Sequence, residues 1–225
     1  MSVDTAYIAG LIDSRGSFVI RQGTPLYIFG TTCYDTASLL SKEFGPPIYK
    51  HPRLTSNKRV YYQVTFTPTP LRSLLQNPYI AIKRLEAAAA SVQLNCLLPE
   101  QQPLEGRSAT KYLAAVFDIC GHLEVNNYGR IVSLAIQSKD AQFLNLLYNI
   151  LLDKKVDSKI YGNRLKISKN ETLKMLSVIK EDVHARKDMV RLLLNIRDRD
   201  NLYDITHEER IKLGILRRRN IGFLS

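Results

Sequence analysis

The pattern of apolar and polar positions reads as a helix and then short strands. Tyr7-Ile8-Ala9-Gly10-Leu11-Ile12 places aliphatics around a pair of small residues, followed by Asp13, two variable residues and Gly16. Alternation from Ser17 to Arg21 predicts a strand, and Leu26 to Thr32 a second one. A helix opens near Asp35, a residue suited to capping the unpaired N–H groups of a first turn. Pro47 to Lys50 and Val60 to Phe66 form a hairpin around a long polar loop, and Pro70 to Gln76 and Ile80 to Leu94 read as helices.

The same series recurs 105 residues on. Tyr112-Leu113-Ala114-Ala115-Val116-Phe117-Asp118 precedes Ile119, Cys120 and Gly121, and Asp140 stands where Asp35 does. Strands are predicted over Leu123 to Asn126, Ile131 to Ile136, Lys159 to Tyr161 and Arg164 to Ile167, with Gly162-Asn163 as the tight turn of the last pair. Helices over Asn170 to Ile179 and Val183 to Arg197 close this half. The expected fold is therefore α+β: two pseudo-symmetric αββαββα repeats, each with a four-stranded antiparallel sheet, docked as a pseudo-dimer that forms a concave saddle. The expected division is 1–96 for the first repeat and 97–107 for a linker carrying Pro99, Pro103 and Gly106. The second repeat takes 108–197, and 198–225 is a C-terminal extension.

Small residues suit a helix that approaches its neighbour closely, and Ala9, Gly10, Ala114 and Ala115 supply them. Gly16 and Gly121 stand where each helix must turn into a strand, as expected of left-handed C-terminal caps.

Charge adds a partner class. The chain carries 32 Lys and Arg against 21 Asp and Glu, a formal net charge of +11. Up to Gly106 the balance is 10 basic to 7 acidic residues, and beyond it 22 to 14. Such a surplus favours polyanions, nucleic acid above all, although a merely soluble basic protein has the same composition. Three cysteines, Cys33, Cys96 and Cys120, without CxxC spacing argue against a disulfide framework or a structural zinc site and suit a reducing compartment. Cys120, His122 and Cys33 match no standard zinc finger. No apolar run approaches the roughly 20 residues of a membrane span. The N-terminus resembles neither a secretory signal nor a transit peptide, so the expected setting is intracellular: cytoplasm, nucleus, mitochondrion or chloroplast, without secretion.

Tyr7 to Phe18 closely resembles the signature of the LAGLIDADG homing endonucleases, and Tyr112 to Leu123 a more divergent second copy. The resemblance covers most of the chain and implies the single-chain, two-repeat form. It also implies that Asp13 and Asp118 are structural, and that the residue directly before each glycine is an acid holding a divalent metal for strand cleavage. Here those positions hold Arg15 and Cys120. Mg²⁺ wants hard oxygen ligands and takes a thiol poorly. Arg15 sets a permanent cation at the metal position, where like charges roughly 4 Å apart repel strongly. Asp13 and Asp118 lie two residues upstream, rotated by roughly 200° on a helix. Glu124, on the following strand, is the one candidate substitute acid.

The expected contacts to nucleic acid follow from the strands and loops. Ser17, Val19 and Arg21 share one face, and Gln63 and Thr65 have groups suited to base edges. Arg164, Lys166 and Ser168 form an outward row, each with an ordinary solvated strand face as the alternative. Lys50, Arg53, Lys58 and Arg59 lie in a long acid-free hairpin, matched by Lys154, Lys155 and Lys159 in the second half. Lys83 and Lys187 occur early in the last helix of each repeat, where the resemblance implies a basic residue near the scissile phosphates. With Arg15 they would form a phosphate clamp. The extension carries Arg217, Arg218 and Arg219 and reads equally as a solvated tail or as a basic arm.

Three functions remain open on the sequence. The first is a nucleic-acid-binding protein without cleavage activity, gripping duplex DNA or structured RNA as a monomer with internal pseudo-two-fold symmetry and using no cofactor. A maturase-like role on RNA is one form of it, and Tyr49, Tyr61, Tyr62 and Tyr128 are candidates for stacking on unpaired bases. The second is an active homing endonuclease with a displaced acid and Mg²⁺. The third is a structural component of a larger assembly.

Overall fold

The computed structural model of the protein describes residues 4–52, 60–125, 131–197 and 208–209. The chain divides into two units, with the change between Leu104 and Glu105. The first runs α1 (Thr5–Ser14), β1 (Ser17–Arg21), β2 (Thr24–Thr31), α2 (Tyr34–Phe44), β3 (Ile48–Pro52), β4 (Val60–Phe66), α3 (Pro68–Leu75) and α4 (Arg84–Gln93). The second repeats the order with α5 (Gly106–Cys120), β5 (Gly121–Val125), β6 (Ile131–Gln137), α6 (Ala141–Asp153), β7 (Ser158–Tyr161), β8 (Arg164–Ser168), α7 (Lys169–Ile179) and α8 (Lys187–Arg197). Each unit holds a four-stranded antiparallel sheet, in the orders β1-β2-β4-β3 and β5-β6-β8-β7. The α+β class and the repeated four-stranded sheets are thus as the periodicity predicts.

Alternation sets the two faces of each sheet. Tyr27 and Phe29 on β2 pair with Phe66 and Val64 on β4, and all four are fully buried under the helices of the first unit. On β8, buried Leu165 and Ile167 alternate with exposed Arg164, Lys166 and Ser168. Helix α6 covers its sheet with Phe143, Leu144, Leu147, Ile150 and Leu151, the spacing of one helical face. Each such side chain stabilises its unit by about 1.5–3 kcal/mol on burial. Among the described residues, the opposite face of each sheet carries no helix of its own unit. Within α1, every residue from Ala6 to Asp13 is buried, the small Ala9 and Gly10 among them, and Ala114 and Ala115 are equally buried in α5.

Several local expectations change. Asp140 caps α6 by accepting from the amides of Gln142 and Phe143, but at α2 the capping position is Cys33, two residues before Asp35, which lies inside the first turn. Helices α4 and α8 begin at Arg84 and Lys187, later than the apolar pattern suggests, because the amides just before them turn towards other partners. Helix α5 begins at Gly106, inside the expected linker, where the side chains of Glu105 and Ser108 cap each other's backbone. Gly16 has φ of +85°, the left-handed cap expected. Gly121 does not: its backbone is extended (φ −64°, ψ 124°), and the need for glycine there is space, since a Cβ would press on the Phe117 ring and carbonyl.

Candidate nucleic-acid interface

At the end of α1 the last carbonyls have no intrahelical partner, and side chains from elsewhere in the unit collect them. Lys83, the capping residue of α4, sends its ammonium to the carbonyls of Ile12 (2.6 Å), Arg15 (3.0 Å) and Gly16 (2.6 Å). The buried Tyr27 hydroxyl donates to the Ile12 carbonyl (3.1 Å) and closely to that of Arg15. Burial, with a smaller push from the Asp13 charge, holds this phenol well above its ordinary pKa, so it remains a donor. In the opposite direction, Asp13 accepts from the amides of Ala81 (2.9 Å), Ile82 (3.2 Å) and Lys83 (3.0 Å), placing an anion at the positive end of α4.

The second unit repeats the arrangement with a different cation. Asp118 accepts from the amides of His184 (2.8 Å), Ala185 (3.1 Å) and Arg186 (3.0 Å). The Arg186 guanidinium donates to the Gly121 carbonyl and lies over the Phe117 ring at 5.2 Å. The structural counterpart of Lys83 is therefore Arg186, one residue before the Lys187 expected. Asp13 and Lys83 are 70 residues apart, Asp118 and Arg186 only 68, and this two-residue shortening hides the match. The Lys83 ammonium has three main-chain oxygens within hydrogen-bond distance, as many as it has donors, so a phosphate would have to compete with them.

The metal implied by the resemblance does not fit the residues present. Arg15 ends α1 as its capping residue and Cys120 is the last residue of α5, so neither side chain has a hard oxygen donor. The carboxylates of Asp13 and Asp118 are committed to helix amides. Glu124 accepts from the Ser133 hydroxyl and pairs with Lys166 Nζ at 3.0 Å. The Ser133 hydrogen bond, then that of Lys166, lower its pKa against an opposing cost of burial. Among the described residues no three His, Cys, Asp or Glu side chains are grouped to hold a metal ion.

The helix-free faces of the two sheets differ in chemistry. In the second unit the register sets His122, Ala135, Lys166 and Lys159 in one row, Glu124, Ser133 and Ser168 in the next, and Gln137, Arg164 and Tyr161 in a third. In the first unit the corresponding rows are Ser17, Ile28 and Thr65; then Val19 and Leu26; then Gly30, Gln63 and Tyr49. A further row holds His51 and Tyr61, and Arg21 lies at the end of β1 opposite Thr24. Gln63 lies on this face and donates from Nε2 to Thr65 Oγ1 at 3.0 Å. Lys50 does not. It pairs with Tyr62 beside Ile48 and Val64, on the helix side of the sheet, and Tyr62 packs edge-on against Tyr34. Lys154 and Lys155 close α6, with Lys154 paired to Asp153 at 3.2 Å and the Lys155 carbonyl taken by Lys174, whereas Lys159 is exposed on the sheet face. Lys187 is half-buried on α8. Arg53, Lys58, Arg59, Tyr128 and the 217–219 arginines lie outside the described residues.

No protein-family model and no curated protein matches the sequence. Solved structures do match. The LAGLIDADG homing endonuclease I-GzeII in complex with its DNA target is similar over 100% of both chains, with a TM-score of 0.55 at 11% identity. I-SmaMI bound to uncleaved DNA in the presence of calcium is similar over 96% of this chain and 98% of its own, with a TM-score of 0.53 at 12% identity. The meganuclease I-SmaMI bound to an uncleaveable DNA gives 0.55 at 11% identity, over 98% and 99%. The chain thus has the fold of the single-chain, two-repeat LAGLIDADG homing endonucleases.

Proposed function

We propose that the protein binds nucleic acid, duplex DNA or structured RNA, on the helix-free faces of its sheets, and that it does not cut the strand it holds. The observation that carries this reading is the row on the second sheet. Lys159 and Lys166 are directly opposite each other on neighbouring strands, with Arg164 exposed on the same face of β8. Like charges so placed destabilise a sheet, and Glu124 offsets one of them alone. A polyanion repays that repulsion, because each neutralised phosphate releases counterions. The DNA complexes of I-SmaMI and I-GzeII support the same choice of partner. Both repeats lie in one chain, so a single copy suffices.

The non-cleaving half of the proposal rests on Arg15 and Cys120. A guanidinium and a thiol offer a divalent ion no hard ligand, and Glu124 is already held by Ser133 and Lys166. The test is gel-shift or anisotropy binding of the full chain to duplex DNA and structured RNA across a salt series, with plasmid cleavage measured in Mg²⁺ and in Mn²⁺. Salt-sensitive binding with intact plasmid is expected. Double-strand cleavage would overturn the second half of the proposal, and absence of binding at low salt the first.

A further inference from the structure

The two sheet faces differ most at the hairpin β3–β4. Where the second sheet carries Glu124, Ser133, Ala135 and Lys166, the first carries Val19, Leu26, Ile28 and Thr65 at matching register positions. Arg21 is the sole Lys or Arg among the described residues of that face. It carries three rings instead. Tyr49 is 50% exposed and lies opposite Gln63, and His51 pairs with Tyr61, their ring centroids 6.4 Å apart. The phenol end of Tyr61 lies over Gly30, in space that any Cβ would fill, so this ring lies along the sheet.

We infer that this face of the first unit is a stacking site for unpaired nucleobases, an inference that rests on the nucleic-acid-binding function proposed above. Base-paired duplex hides the flat faces of its bases within the stack, so exposed rings meet only its edges and sugars. An unpaired base offers its whole π-face, and every base has one. A side-chain amide beside the rings favours a base over an apolar protein surface. Gln63 lies between Tyr61 and Thr65 on the outward side of β4, where amide and hydroxyl groups can meet the edge of a stacked base. The second sheet has one exposed ring at the matching row, Tyr161 beside Arg164 and Gln137, and among the described residues no row beyond it corresponds to His51 and Tyr61. The two units therefore divide the work, the second gripping phosphates and the first stacking bases that are already unpaired.

The chain has no tryptophan, so Tyr49→Trp introduces a single indole reporter. Titration with oligo-dT and with oligo-U is expected to quench it, whereas blunt duplex binds the protein without quenching. The stronger of the two oligonucleotides identifies DNA or RNA as the source of the bases. Tyr49→Ala should weaken oligonucleotide binding about tenfold and duplex binding far less, and Tyr49→Phe should keep both. Duplex binding without quenching by either oligonucleotide, or equal losses on both ligands in Tyr49→Ala, overturns the stacking site and leaves the proposed function standing. Failure of every nucleic acid to bind overturns both.

Discussion

Lys83 is held to α1 from both ends: its amide donates to Asp13 Oδ1 at 3.0 Å, and its ammonium reaches the Ile12 carbonyl at 2.6 Å. The Asp in the motif thus acts on the last helix of its own repeat through a long-range cross-tie. Asp13→Asn removes the charge from the start of α4 and turns an NH₂ group against amides that need an acceptor. Thermal unfolding should show a loss of about 1–3 kcal/mol, and Asp118→Asn a similar one. An unchanged melting temperature in both would refute the cross-tie.

Lys83→Met separates structural from binding roles. With the ammonium spent on three carbonyls, its loss should lower stability by about 1.5–3 kcal/mol and leave the salt dependence of nucleic-acid binding as it was. A fall of about one in the slope of log affinity against log salt would instead place Lys83 on a phosphate.

Gly16 and Gly45 have nearly the same backbone angle, +85° and +87°, in different surroundings. A Cβ on Gly45 meets nothing within 4 Å; one on Gly16 meets the Tyr27 hydroxyl at 2.5 Å and the Ile28 carbonyl at 2.7 Å. Gly45→Ala should cost about 1 kcal/mol for left-handed backbone alone. Gly16→Ala should cost more, because it also opens the cluster around Tyr27. Urea denaturation of the two variants checks the order.

Glu124 restrains the basic row, and its removal should tighten binding. Glu124→Gln frees Lys166 from its ion pair, so affinity should rise and the salt slope steepen by about one. Acid gives the same result more gradually. The folded carboxyl has its pKa lowered, so it stays ionised at neutral pH, and the pair is lost only as pH falls through that lowered value. Binding isotherms at two ionic strengths, for both proteins, measure the difference. Equal slopes would remove Glu124 from the interface.

How far the sequence reaches depends on the range of the interaction. Local signals carried the repeat, both sheets and the strand faces: Leu165 and Ile167 buried against Arg164 and Lys166 exposed is period two made visible. Long-range signals did not carry. Nothing near Lys83 announces that its ammonium goes to carbonyls some 70 residues earlier, although counting three residues on from Ile80 and from Val183 reaches Lys83 and Arg186 alike. Lys50 is on the helix side because register, which a single strand does not reveal, pairs it with Tyr62. That Arg15 and Cys120 directly precede the two glycines is read from the sequence alone, since the motif itself defines those positions.

The cross-ties have a consequence for the order of folding. The carbonyls of Ile12, Arg15 and Gly16 gain the Lys83 ammonium only when the chain closes over a separation of 67 to 71 residues, and Gly121 waits for Arg186 across 65. Contacts so distant in sequence bear a large loop-closure entropy before they return anything. Each repeat is therefore completed by its last helix. During synthesis the first helix emerges with its end unsealed and must wait for nearly the whole repeat to follow it.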